Sequence, residues 1–165
     1  MQFIFIKEKM SFKTKYKPEE CIELLKKETD QHNLKYYLTI NVKGKPVIGS
    51  FYENRIRLEK RIYSRNSSSP VYYGELLQDA GGTRIEGYFG LNEMSPFVAI
   101  LLIVVSIIAQ LGTLAAKAPL TAHLFLLLFA VGVFFFPSIA YYLSSGQKDF
   151  LIEFVKNVLD SEVIK

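Results

Sequence analysis

Nucleophilic, acid–base and metal chemistry each need a small set of side chains at fixed spacing, and this chain offers few of them. His32 and His123 are its only histidines. Neither stands in an H-E-x-x-H or comparable ligand spacing, and an exposed or snorkelling histidine is expected at each. Cys21 is the only cysteine, which rules out an intrachain disulfide and a thiolate metal cluster within one chain. No G-x-S-x-G occurs, and Gly44, Gly49, Gly74, Gly81, Gly82, Gly87 and Gly90 fit strand turns better than a phosphate loop. No catalytic, cofactor-binding or metal-ligating residue is assigned, and the expected class is non-enzymatic.

Two other groups could act by contact. Arg55, Arg57 and Arg61, followed by Arg65, share one parity of a strand and therefore one face. Such a row could meet anionic lipid, at about 1 kcal/mol per basic residue near a charged leaflet. Gln110 lies in a long apolar run, where an amide seeks a hydrogen-bond partner. Gly112 and Ala116 form a small-xxx-small pair nearby, a candidate packing face.

The elements that would position these groups follow from periodicity. A first strand is expected within residues 2–16. Pro18 suits a helix start, Glu19 and Glu20 favour its positive end, and Cys21, Ile22, Leu24 and Leu25 give one apolar face. From Tyr36 the period becomes two: Leu38, Ile40 and Val42 alternate with polar residues up to the Gly44-Lys45-Pro46 turn. Further strands are expected over Val47–Phe51, Ile56–Ile62, Val71–Gln78 and Thr83–Phe89, joined by short turns and so antiparallel.

Phe97 to Ala116 is 20 residues without a charge, and Leu120 to Leu143 is 24 residues without Asp, Glu, Lys or Arg. At about 1.5 Å per residue each could cross a hydrocarbon core of about 30 Å. The expectation is a transmembrane hairpin with spans at about 97–116 and 120–143. Tyr141 and Tyr142 sit at one interface and Lys117 marks the opposite turn. Beyond it, Phe150, Leu151, Phe154, Val155, Val158 and Leu159 make a helical stripe that needs a partner.

Net charge is +4, and residues 1–96 carry it, with 16 Lys+Arg against 12 Asp+Glu. That is too sparse for a nucleic-acid binder. The start, Met1 to Lys7, is not expected to act as a secretory signal, because it lacks a basic n-region and its apolar run is short, and the bias of basic residues favours both termini in the cytoplasm.

Asn66 to Pro70, Tyr73-Gly74-Glu75-Leu76 and Gly82-Thr83-Arg84-Ile85-Glu86-Gly87-Tyr88-Phe89 together resemble a pattern in small uncharacterised bacterial two-helix membrane proteins. The resemblance covers about residues 47–160. It implies a fold and supplies no catalytic residues. The element order also resembles helix-grip and pleckstrin-like lipid-binding domains, an analogy of fold alone.

The resulting expectation is an α+β fold. It has an antiparallel sheet of five to six strands with two flanking amphipathic helices, plus an inserted two-helix transmembrane hairpin. Residues 1–95 form the β-rich domain, 96–143 the hairpin, and 144–165 a helix packing back on that domain. The expected function is a membrane-anchored binding or regulatory module of the cell inner membrane, working at the cytoplasmic face. Its alternatives are a domain for lipid or a small hydrophobic ligand and an accessory subunit of a membrane complex. The expected partners are the lipid bilayer, other membrane proteins or a homodimer, with no cofactor and no nucleic acid.

Overall fold

The computed structural model describes residues 7–31, 44–61, 69–91 and 94–164, with side chains at 94–99, 134, 136–138 and 140 left out. The strand expected over Tyr36–Lys43, His32 and Arg65 lie outside the described residues. Seven strands make one sheet in the order β2-β3-β4-β5-β6-β1-β7. They are β1 (Lys7–Thr14), β2 (Asp30–Gln31), β3 (Val47–Tyr52), β4 (Arg55–Lys60), β5 (Pro70–Asp79), β6 (Gly82–Leu91) and β7 (Glu162–Ile164). Neighbours pair antiparallel except β2 and β3, which are parallel, so the sheet is mixed and longer than expected.

The first helix, α1 (Pro18–Glu28), begins where Pro18 needs no amide donor and Glu20 accepts the Lys17 backbone N–H at 2.9 Å. Its apolar face buries Cys21 and Leu25 against the sheet. The last helix, α4 (Ser145–Leu159), buries Leu151, Val155 and Leu159 in the same cluster. Thus residues from both ends of the chain cover one face of one sheet. At the far end of α4, the Thr14 hydroxyl donates to the Leu159 carbonyl at 2.6 Å and Lys15 pairs with Asp160 at 2.7 Å. Strand β7 then pairs with β1, closing the N-terminal strand against the C-terminus.

The centre of this core is Tyr72 on β5, with no exposed surface. Phe12 meets its ring edge-on at 5.5 Å between centroids, and Phe89 lies at 5.1 Å. Its hydroxyl reaches across β6 to donate to the Met10 carbonyl on β1 at 3.1 Å. Gly74 and Gly87, paired in register, leave the room for that crossing. Burial pushes the Tyr72 phenol well above its usual range. Around Tyr72 the space between sheet and helices is taken by the side chains of the core cluster.

Between β6 and α4 runs a helical hairpin, α2 (Met94–Ala115) and α3 (Leu120–Leu143). The turn between them holds Lys117 in the left-handed region at φ 51°, and the Ala118 amide donates back to the Thr113 carbonyl at 2.9 Å. None of the described residues of the hairpin belongs to the core cluster.

Among the described residues no helix is long and apolar enough to cross a membrane. This corrects four expectations: the two spans at 97–116 and 120–143, the integral membrane class, the multi-pass cell-membrane placement, and a module anchored at the cytoplasmic face by such spans.

Candidate functional site

The arginine row separates into different environments. Arg55, on β4, stands with its side chain 75% exposed, 4.0 Å from Glu75 on the neighbouring strand. Arg57 is mostly buried and donates to Glu59 at 2.7 Å. Arg61 is 8% exposed and engaged on several sides. Its Nε donates to the Lys45 carbonyl at 2.8 Å, its backbone N–H to the Pro46 carbonyl at 2.8 Å, and its guanidinium pairs with Asp30. Asp30 also accepts the Lys45 backbone N–H at 2.9 Å. Arg61 thus ties β2, the 44–46 segment and the end of β4 together.

This division predicts a contrast. Arg61→Gln should cost about 2–4 kcal/mol of unfolding free energy, because it removes the buried guanidinium from its network and leaves Asp30 with the Lys45 amide but no charge partner there. Arg55→Gln should change stability by under about 0.5 kcal/mol, as an exposed pair does. Urea denaturation of both variants decides it; equal losses would show that the Arg61 network carries no special weight.

On the face opposite the helices, one rung runs Lys9, Tyr88, Tyr73, Arg57, Ser50 across five strands. The Tyr73 and Tyr88 rings stack at 5.3 Å, and Lys7 lies 4.7 Å over Tyr88. Cross-strand packing accounts for this rung.

The hairpin is the more unusual feature, because its polarity is inverted. Its large apolar side chains point outward: Ile108 is 64% exposed, Leu111 62%, Phe125 70%, Leu128 68%. Ser106, Gln110, Thr113 and His123 are the described polar residues of the hairpin that are buried or half-buried. Ser106 is buried and donates to the Leu102 carbonyl at 2.8 Å. Gln110 Nε2 and Thr113 Oγ1 lie 3.1 and 3.2 Å from His123 Nδ1, and the Thr113 hydroxyl donates to the Gln110 carbonyl at 2.8 Å. Gln110 Oε1 is buried without a partner among the described residues. Gly112 and Ala116 face away from this cluster, and a Cβ at Gly112 would meet nothing within 4 Å.

His123, expected to be exposed or snorkelling, is half-buried against α2. A signal for this existed: Gln110 and His123 are nearly equidistant from the Lys117 turn, so an antiparallel hairpin brings them opposite each other. At the root of the hairpin, Tyr141 is 4% exposed and its hydroxyl has no partner among the described residues. Burial, aided by the Glu8 carboxylate, pushes this phenol up to about 12. Nearby, Lys148 on α4 pairs with Glu8 at 2.8 Å. Cys21 is buried in α1, and that burial pushes its thiol up, away from the reactive thiolate.

Fold and site together define an α+β body carrying an inside-out helical hairpin. No group of three or more His, Cys, Asp or Glu that could hold a metal occurs among the described residues. No protein-family model matches the chain, and the curated proteins and solved structures give no match. The resemblance to small bacterial two-helix proteins therefore rests on the strand and turn residues between 66 and 89 alone.

Proposed function

We propose that this protein is a non-enzymatic association module, in which the α+β body is joined to an apolar partner through the α2–α3 hairpin. The inversion of polarity carries the reading. A helix pair with isoleucine, leucine and phenylalanine outward and Ser106, Gln110, Thr113 and His123 inward is stable only where apolar groups replace water around it. Twenty large apolar side chains of the two helices are exposed, where the largest apolar patch on an ordinary monomer is roughly 300–600 Å². The body, with its packed core and paired charges, serves as the rigid part presented alongside.

The test is partition between water and a cloud-point detergent phase. The full chain should enter the detergent phase. A variant with Leu111, Phe125 and Leu128 changed to lysine should remain in the aqueous phase by at least roughly tenfold, since each substitution removes about 1.5–3 kcal/mol of apolar transfer. Circular dichroism checks that the body stays folded in both. A full chain that stays in water defeats the proposal.

A further inference from the structure

Resting on that reading, we infer that Gln110, Thr113 and His123 are positioning residues. Their cluster decides which face of each hairpin helix turns inward, and so which apolar side chains the pair presents. The seam between the helices carries the argument. On α2 the less exposed residues Ile103, Ser106, Gln110 and Thr113 recur at spacings of three and four, and on α3 so do His123, Leu126, Ala130 and Val133. Each helix also holds a second stripe at that spacing, made only of large apolar residues. On α2 it is Leu101, Val104, Ile108 and Leu111, and on α3 it is Leu120, Leu124, Leu127 and Val131. Both of these stripes are exposed.

Apolar packing in water would turn those two stripes toward each other. In apolar surroundings leucine gains little by facing inward, while a polar group gains most, since no water is there to bond it. Gln110 Nε2 and Thr113 Oγ1 then find His123 Nδ1, at 3.1 and 3.2 Å. Rolling either helix by one residue step turns it by about 100° and parts these groups. At least two polar atoms are then unmet, which holds such pairings below the observed one by at least roughly thirtyfold. The cluster also carries a cost, because Gln110 Oε1 is buried without a partner among the described residues. Leucine at 110 would carry none, so the amide serves the choice of faces rather than strength of packing.

Pulsed dipolar spectroscopy of spin labels at Gly112→Cys and Gly132→Cys reads the faces. Both positions are open to a side chain and lie outside all four stripes, and the buried Cys21 stays out of reach of the label. The labelled full chain is diluted into unlabelled chain in a non-ionic detergent, so that only distances within one hairpin count. A single distance is expected. In the Gln110→Leu/His123→Leu background a second distance should appear, with helix content by circular dichroism unchanged. His123→Asn, whose carboxamide hangs from Cγ as Nδ1 does, should keep the single distance. A single distance in the leucine background overturns the inference, because apolar packing is then enough to choose the faces. Loss of helix content there also overturns it, since the cluster would then hold the helices together rather than orient them. A second distance with the cluster intact, or with His123→Asn, overturns it as well. None of these readouts uses partition into the detergent phase, so the function proposed above stands or falls separately.

Discussion

Gly87→Ala is expected to remove about 3 kcal/mol or more of folding stability, although it adds a single methyl group. Gly87 lies on β6 directly beneath the Tyr72 side chain on its way to Met10. A Cβ there would overlap the Tyr73 carbonyl oxygen and stand 2.6 Å from the Tyr72 hydroxyl. Backbone in the middle of a seven-stranded sheet cannot step aside without breaking ladder bonds on both sides. Gly74, its partner in register, gives the control. A Cβ at Gly74 meets only side chains, at 2.8 to 3.2 Å, and these can shift. Gly74→Ala should therefore cost nearer about 1 kcal/mol. Denaturant midpoints for the two variants make the comparison. If Gly87→Ala is no worse than Gly74→Ala, the Tyr72 phenol does not cross β6 in this way. Adding Tyr72→Phe to Gly87→Ala should recover part of the loss, since it removes one of the two clashing oxygens.

Those glycines show which parts of the fold were legible. Period-two runs at 47–51, 71–78 and 83–89 specified strands because their apolar residues fill one face, and the structure extends each by one to a few residues. The stripe from Phe150 to Leu159 specified a helix for the same reason at period 3.6. Strands β2 and β7 were not legible. Two or three residues at a sheet edge are too few to show any alternation, and their pairing is set by β3 and β1. The parallel pairing of β2 with β3 was missed with it, which is why an all-antiparallel sheet was expected. Gly74 and Gly87 looked like turn residues, because nothing local reveals that a tyrosine on the next strand will pass over them.

The candidate site was legible in composition and illegible in environment. The arginines at 55, 57 and 61 share a parity, yet parity fixes only a face and not what covers it. Asp30, 31 positions away, turns Arg61 into a structural tie. For the hairpin, an uncharged run shows that apolar surroundings are wanted but not what supplies them, and among the described residues no helix is long and apolar enough to cross a membrane.

Excising residues 92–144 and joining Leu91 to Ser145 through a flexible Gly/Ser linker should leave a folded body that no longer enters the detergent phase. The core that such a body needs is complete without the hairpin. Phe12, Leu58, Tyr72, Ile85 and Phe89 come from the strands, and Cys21, Leu25, Leu151, Val155 and Leu159 come from α1 and α4. Three further ties hold α4 in place independently of the hairpin: Thr14 to the Leu159 carbonyl, Lys15 to Asp160, and β7 to β1. The remaining chain of about 110 residues is large enough to bury roughly 65% of its unfolded surface, as independent domains do. Exchanging one connection for another changes closure entropy only slowly with length, by about 0.6 kcal/mol per doubling. The one large buried side chain lost among those described is Tyr141, whose hydroxyl already lacks a partner there, so its removal relieves a buried polar group while it uncovers the surface around Glu8. Cooperative urea unfolding with native-like circular dichroism is the expected result. An excised chain that aggregates or shows no cooperative transition would place the hairpin inside the folding unit, and the division into body and association element would fall with it.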